Sequence, residues 1–419
     1  MIFNPFFAHL PDPSAQRIAL QVTPAAERAI HAGHPWVFDQ AVRGQNHAGT
    51  SGDLAVIFDS KRRFMAVGLY DPASPIRVRI LQSGHPAAIN QDWFQAVLSA
   101  AFKARAPIQE QPGGNITTGY RLVHGENDGL PGLVIDRYDE TLVIKLYTPA
   151  WIPHLKEFLP ALAQLSPAKL LILRLSRSMT RQNDLLFGLQ DGMVLAGSIP
   201  DGPVLFKENG LIFEVDPING QKTGFFLDQR DNRARVEHLT RGKSVLNLFA
   251  YTGGFSVYAA RGGASEIISV DLSAPALAAS TRNMAYNRNI PAVAAAVYTT
   301  IARDVFEVLF QMQDNKQLFN LVVIDPPMFA QNETQVAPAL AAYRKLTQMG
   351  LGVLRPGGTL VQASCSSRIG AEVFFETIHA AARDAGRPLI ELERTAHALD
   401  HPVHFKEGAY LKCLFAAAP

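Results

Sequence analysis

From about residue 206 onward, short apolar runs alternate with amphipathic ones, and this alternation restricts the fold more than any other feature of the chain. After a hairpin-like stretch at 204–215, strands are expected at 244–249, 266–271, 294–298, 318–324, 359–364, 389–393 and 410–416. Helices are expected between them, at 255–261, 274–287, 302–312, 336–354 and 371–385. Apolar strands alternating with helices imply a parallel sheet covered on both faces. Ligands of such a sheet bind at the carboxyl ends of its strands, where strand order reverses.

The first half reads differently. Residues 17–85 are β-rich, with strand-like runs at 53–58, 64–70 and 76–81 separated by Gly52, Asp59-Ser60, Asp71-Pro72 and Pro75. Short strands at this spacing fit a small barrel or sandwich. Lys61-Arg62-Arg63 falls on a turn, and Arg77 and Arg79 alternate onto one strand face. That face is either solvated or a phosphate-contacting edge. A helix at 91–104 leads into a Pro- and Gly-containing linker at 106–115. A mixed unit follows, with strands at 120–123, 132–136, 141–146 and 170–175 and a helix at 152–165.

At 419 residues the chain is long enough for two or three cores. Hydrophobic residues make up 47% and charged residues 18%, with a mean hydropathy of +0.04, which excludes a disordered or strongly charged chain. No apolar run is long enough to span a bilayer, and the N-terminus lacks a basic n-region and is interrupted by Asn4 and Pro5. Neither signal peptide nor membrane anchor is expected. Lys+Arg 39 against Asp+Glu 37 neither announces nor excludes a nucleic-acid partner, because a basic face can hide in a neutral total. The two cysteines, Cys365 and Cys413, are too few for a disulfide framework or a CxxC zinc site. A reducing, cytoplasmic setting is therefore expected. His401 and His404 form an H-x-x-H, but Pro402 separates them and no third ligand is evident, so no metal is expected.

Four stretches carry chemistry. In NLFAYTGGF (247–255) a buried strand meets a Gly turn that opens a helix, whose first N–H groups are free for a ligand. Its spacing is not G-x-G-x-x-G, which disfavours a dinucleotide site. Asp271 ends the next strand, placed either to accept from ribose hydroxyls or to cap the following helix. In IDPPMF (324–329), Asp325 ends an apolar strand, and two prolines force the chain out of the sheet, presenting the carboxylate as an acceptor for an amino group. In QASCSS (362–367), Cys365 ends the strand expected beside that of Asp325, so both groups face one crevice. In GQKTGFFLDQR (220–230), Phe225 and Phe226 beside Asp228 and Gln229 suggest a lid over a ligand, or else a helix start capped by Asp228 with its aromatics in the core. Cys413 is read as a core residue.

Together these stretches resemble class I S-adenosylmethionine-dependent methyltransferases, and specifically the 23S ribosomal RNA cytosine-C5 methyltransferases with an N-terminal PUA domain. The resemblance rests on GHPWVF (33–38), YDPASPIRVRI (70–80), HGENDGLPGLVIDR (124–137), KTGFFLDQR (222–230), NLFAYTGGFSV (247–257), VDLS (270–273), DPPMF (325–329), SCS (364–366), DHPV (400–403) and EGAYLK (407–412). It implies an α/β protein of three parts: a PUA-like β-barrel at 1–90, a mixed α/β middle domain at 91–204 and a Rossmann-like catalytic domain at 205–419.

The resemblance also implies roles. Asn247, Phe249, Ala250, Tyr251, Thr252, Gly253 and Gly254 would hold the methionine part of S-adenosylmethionine. Asp271 and Leu272 would take its ribose, Asp304 and Val305 its adenine, and Asp228 and Gln229 would close over it. Asp325, with Pro326, would meet cofactor and target base, and Cys365 would be the nucleophile. Large-subunit ribosomal RNA is the implied substrate, without metal or membrane; the oligomeric state is left open, a homodimer included. Met328 and Ser367 stand where the family usually has Lys and Gly, and no second cysteine follows the prolines. Two alternatives remain at this point: a guanine-N7 or exocyclic-amine methyltransferase without covalent catalysis, and a non-catalytic PUA-containing assembly factor.

Overall fold

The computed structural model describes residues 3–109 and 115–419. The chain forms two compact units. The first holds the described residues up to Asn209 together with Val215–Phe225 and Leu399–Phe405; the second holds Gly210–Glu214, Phe226–Ala398 and Lys406–Pro419.

The first unit contains two sheets. One is six-stranded, in the order Trp36–Phe38, Ile76–Ser83, Phe64–Tyr70, Leu54–Phe58, Ile18–Val22 and Val42–Gln45. The expected run at 64–70 is found residue for residue. The turn after Leu54–Phe58 is held by Asp59, whose Oδ1 accepts from the amides of Lys61 and Arg63. The strand arginines fit neither expectation fully. Arg77 is half-buried, but Arg79 is only 7% exposed, with Asp71 3.9 Å away. An arginine so enclosed is neither on a solvated face nor on an RNA-facing edge.

The second sheet of this unit runs Val194–Ala196, Leu170–Leu175, Thr141–Leu146, Leu133–Tyr138, Gly119–His124. Helices Gln91–Gln109 and Leu155–Leu165 pack with its residues in one apolar core. The helix expected to stop at 104 continues through Pro107. Part of the expected linker, 110–114, lies outside the described residues. Pro inside a helix costs about 3 kcal/mol. Burying Ile108, 1% exposed, returns about 1.5–3 kcal/mol and offsets much of that cost. The core also holds a charged network: Arg105, 1% exposed, makes a bidentate pair with Asp128 at 2.7 and 2.6 Å and donates to the carbonyl of Asp400.

The second unit is built on a seven-stranded sheet. Its strands, counted within this unit, are β1 (Ser244–Leu248), β2 (Glu266–Asp271), β3 (Val297–Ala302), β4 (Phe319–Ile324), β5 (Leu354–Ser364), β6 (Ile390–Thr395) and β7 (Lys412–Ala418). The spatial order is β3-β2-β1-β4-β5-β7-β6. Strands β1 to β5 are parallel neighbours, as the alternation requires. The last strand departs from the all-parallel expectation: β7 enters between β5 and β6 and runs antiparallel to both. It is joined to β6 by a connection without a crossover helix, which allows that direction. The reversal of strand order falls between β1 and β4. Helices Gly254–Arg261, Ala274–Tyr286, Val305–Asp314, Val336–Gly352 and Ala371–Asp384 link the strands. The run expected as a strand at 294–298 instead begins as the short helix Pro291–Ala295, because Pro291 supplies the fixed φ of a first helical residue.

Candidate active site

The parallel sheet gathers the sequence-identified residues along one edge. Asn247 lies near the end of β1, and residues 249–254 form the turn that follows it. Asp271 and Leu272 end β2, Asp304 and Val305 follow β3, Asp325 and Pro326 follow β4, and Cys365 follows β5. These are the carboxyl ends of five neighbouring strands, on both sides of the reversal. Asp228 and Gln229 come from a separate short turn, Leu227–Gln229.

The turn after β1 is tightly wound. Phe249, Tyr251 and Gly253 have φ of +58°, +47° and +76°, and such values cost non-glycine residues energy that surrounding contacts must offset. One such contact is Asp271, whose Oδ2 accepts from the amide of Tyr251 at 2.8 Å while Oδ1 accepts from Ser273 N. Asp271 thus braces the loop and holds the residue before Ala274–Tyr286, a use the sequence did not suggest. That helix is capped by Ser273 itself. Asp304 caps Val305–Asp314, accepting from Phe306 N and Glu307 N, and Val305 is buried.

These residues fit S-adenosylmethionine. Asn247 Oδ1 and Thr252 Oγ1 are buried without a hydrogen-bond partner among the described residues, two acceptors suited to a ligand's ammonium group. The helix Gly254–Arg261 begins at Gly253 with no side-chain cap, so its first amides remain donors for a carboxylate. Leu272, beside Asp271, is 76% exposed.

Asp325 and Cys365 occupy adjacent strand ends. Ile324 pairs with Gln362, and the strands are parallel, so both side chains emerge at the same edge. Both residues are half-buried, whereas the flanking Ser364 and Ser366 are fully enclosed. Asp325 Oδ1 accepts from Gln229 Nε2 at 2.8 Å; Gln229 Oε1 accepts from Asn232 Nδ2 at 2.6 Å, and Asn232 Oδ1 accepts from Thr395 Oγ1 at 2.5 Å. Asp228 accepts from the Tyr410 hydroxyl at 3.0 Å. The helix that follows, Arg230–His238, has Gln229 at its N-cap position and no side-chain cap, so Asp228 does not cap it. Phe225 is 3% exposed in the first unit, and Phe226 meets Tyr251 edge-on at 5.1 Å in the second, so the chain passes between the units at this pair rather than presenting two exposed aromatics. Tyr343 donates to Ser364 Oγ at 2.9 Å, and burial pushes its hydroxyl pKa up. Cys413 is fully buried in β7, and burial raises its thiol pKa well above the ordinary range, in keeping with a core residue.

One charged side chain went unassigned in the sequence. Lys412, 3% exposed, donates to the carbonyls of Ser366, Ile369 (2.6 Å) and Tyr410 (3.2 Å). In the sequence it closes the stretch EGAYLK (407–412) and is a single lysine in the otherwise apolar run LKCLFAAA. Among the described residues no group of three or more His, Cys, Asp or Glu side chains is placed to hold a metal ion, and no helix is long and apolar enough to cross a membrane.

Comparison with known proteins agrees with this geometry. Residues 122–415 match the family model described as S-adenosylmethionine-dependent methyltransferase, and residues 20–83 match a PUA-like domain. A ribosomal RNA large subunit methyltransferase of Deinococcus radiodurans is 47% identical over 407 residues, covering 97% of this chain and 98% of that protein. Ribosomal RNA large subunit methyltransferase I of Pseudoalteromonas translucida is 36% identical, covering 94% and 98%. A methyltransferase crystal structure complexed with SAH shares the fold, with a TM-score of 0.80 and 23% identity over 96% of this chain and 99% of that one. The chain therefore belongs to the S-adenosylmethionine-dependent methyltransferase family and carries a PUA-like domain.

Proposed function

We propose that the protein methylates C5 of a cytosine in large-subunit ribosomal RNA through a covalent adduct on Cys365, and that it acts in the cytoplasm. The observation that carries this reading is a thiol and a carboxylate at the ends of adjacent parallel strands, Cys365 after β5 and Asp325 after β4. The substrate class follows the names of the full-length relatives.

S-adenosylmethionine, when bound, supplies an electrophilic methyl group on a sulfonium. Asn247, Thr252 and the 249–254 turn would hold its methionine part, Asp271 and Leu272 its ribose, Asp304 and Val305 its adenine, and Asp228 and Gln229 would close over it. Every further step belongs to the chain and the base. C5 of cytosine is a weak nucleophile. The Cys365 thiolate adds to C6, and the electron pair of the C5–C6 bond moves to make C5 an enamine carbon able to take the methyl group. Asp325 accepts from the exocyclic amine and orients the base, while a proton taken up from solvent at N3 as the adduct forms, and returned when the product is released, keeps the ring from carrying a full negative charge beside it. Loss of the C5 proton, to water or to Asp325, re-forms the double bond and expels the thiolate. The base must leave its stack to reach these groups.

The test is mass spectrometry of nucleosides from ribosomal RNA incubated with the protein and labelled cofactor. The expected product is 5-methylcytidine, and RNA containing 5-fluorocytosine should trap a covalent complex that Cys365→Ala abolishes. Labelled 7-methylguanosine or an N-methylated base, with no trapped complex, would instead assign the site to a non-covalent methyltransferase. Failure to bind the cofactor at all would favour an RNA-binding assembly factor.

A further inference from the structure

Two anions side by side need a counter-charge. If Cys365 is the nucleophile, its thiolate must form next to the Asp325 carboxylate, and a like charge disfavours that. Among the described residues several titratable groups are placed near this part of the site, the ion-paired Arg235 and Glu393 on the Cys413 side included. Tyr343 reaches it through Ser364, Arg368 lies exposed in the same turn 3.4 Å from Glu333, Cys413 is buried behind it, and Lys412 lies beneath the turn. Arg368 is a solvent-screened charge already facing a carboxylate, so it contributes little.

Lys412 is different. In the β5–β7 register it pairs directly with Ser364, the residue before Cys365. Its side chain then reaches the carbonyls of Ser366 and Ile369, on the far side of the cysteine, and the carbonyl of Tyr410, two residues before it. Three N–H donors thus meet three carbonyl acceptors, and a protonated amine satisfies all of them. The cation is in place without a carboxylate among those hydrogen-bond partners, and Cys365 is the group whose charge favours it.

We propose that Lys412 is a positioning residue for Cys365, its buried ammonium pinning the turn 365–369 and stabilising the sulfur as a thiolate next to Asp325. The inference rests on the reading of Cys365 as the nucleophile. The thiol proton goes to solvent, and Lys412 keeps its own. Burial brings the Lys412 pKa down to about 8, so near neutral pH the group is still mostly charged, with little to spare. Its loss as a cation above that pH would uncouple the turn from the thiolate.

The experiment is alkylation of the full-length protein with iodoacetamide from about pH 6 to 10, read at Cys365 by peptide mass spectrometry, with cofactor affinity and thermal midpoint as checks of folding. In the unaltered protein the labelling midpoint should lie below the ordinary thiol value of about 8.5. In Lys412→Met it should rise by about one pH unit or more, with about tenfold slower labelling near neutrality, and Lys412→Arg should recover part of the shift. A midpoint at or above the ordinary value in the unaltered protein overturns the inference without any variant. So does a folded, cofactor-binding Lys412→Met protein with an unmoved midpoint. The readout uses no RNA: an unmoved midpoint in a protein that makes 5-methylcytidine removes the role of Lys412 alone, whereas a shifted midpoint in a protein that makes none removes the proposed reaction.

Discussion

Gln229 Nε2 donates a hydrogen bond to Asp325 Oδ1 at 2.8 Å, joining a turn ahead of the sheet to a carboxylate 96 residues later in the chain. The amide cannot rotate away, because its oxygen accepts from Asn232, which is itself held by Thr395. Asp325 is thereby aimed through a chain of neutral groups. Gln229→Leu keeps the volume and removes the donor. A hydrogen bond to a charged group is worth about 1.5–3 kcal/mol, so kcat/KM should fall about 10- to 100-fold. Cofactor affinity measured by calorimetry should change less. A loss confined to cofactor affinity would leave Gln229 its role over the cofactor alone and none behind Asp325.

The two cysteines should behave oppositely. Cys413 is fully enclosed in β7, paired with Ala363, and its thiol pKa is raised by burial. Cys413→Ala should retain covalent trapping by 5-fluorocytosine RNA and lose stability by about 1 kcal/mol for the removed sulfur. Cys365→Ser should trap nothing, because a serine hydroxyl is not ionised at neutral pH. Trapping by Cys365→Ser would sink the assignment.

The contrast between these cysteines was legible in the sequence because each lies where a strand pattern speaks clearly: Cys365 just past an apolar run, Cys413 inside one. The same holds for Asp325, since two prolines mark the point where the chain leaves the sheet. What could not be read were pairings between distant segments. Lys412 interrupts an apolar run, but its partners are carbonyls beyond β5, reached only because β7 inserts antiparallel between β5 and β6. A carbonyl acceptor leaves no trace in residue identity. Arg79 misled for a related reason: alternation assigns a strand face, but whether that face is wet depends on what else packs there, in this case Asp71 and the backbone near Gly132. Phe225 and Phe226 are consecutive, and only tertiary contacts divide them between two units.

The turn after β1 should be intolerant of side chains at one position. Gly253 has φ +76°, and a Cβ built there would run into Ser280, whose own Cβ would lie 2.9 Å away. Ser280 is held in place by the Tyr298 hydroxyl, so it cannot yield freely. Gly253→Ala should cost about 1–3 kcal/mol in stability. It should also weaken S-adenosylmethionine binding through the displaced 249–254 backbone, measurable by calorimetry. Wild-type affinity and melting temperature together would show that Ser280 yields to the added methyl group.

Acid should destabilise the first unit through one histidine. His154 is fully buried, and Nε2 lies 2.7 Å from the carbonyl of Gly52, to which it donates as the neutral ring. Its pKa is lowered to about 4, chiefly by desolvation of the charged form, with Arg17 adding to the effect and the Gly52 carbonyl and Asp53 opposing it. The unfolded chain would bind the proton near the ordinary value of about 6.5, so below that pH the unfolded state takes up more protons than the folded one. Stability is therefore complete above about pH 6.5 and falls as the pH drops towards 4, by about 2 kcal/mol between pH 7 and 5. His154→Gln, which keeps a donor for Gly52 without a titrating ring, should show a smaller fall over the same interval even if its stability at pH 7 is lower. Urea denaturation of both proteins at pH 7 and 5 measures the difference, and equal slopes against pH would mean that another group controls the acid limb.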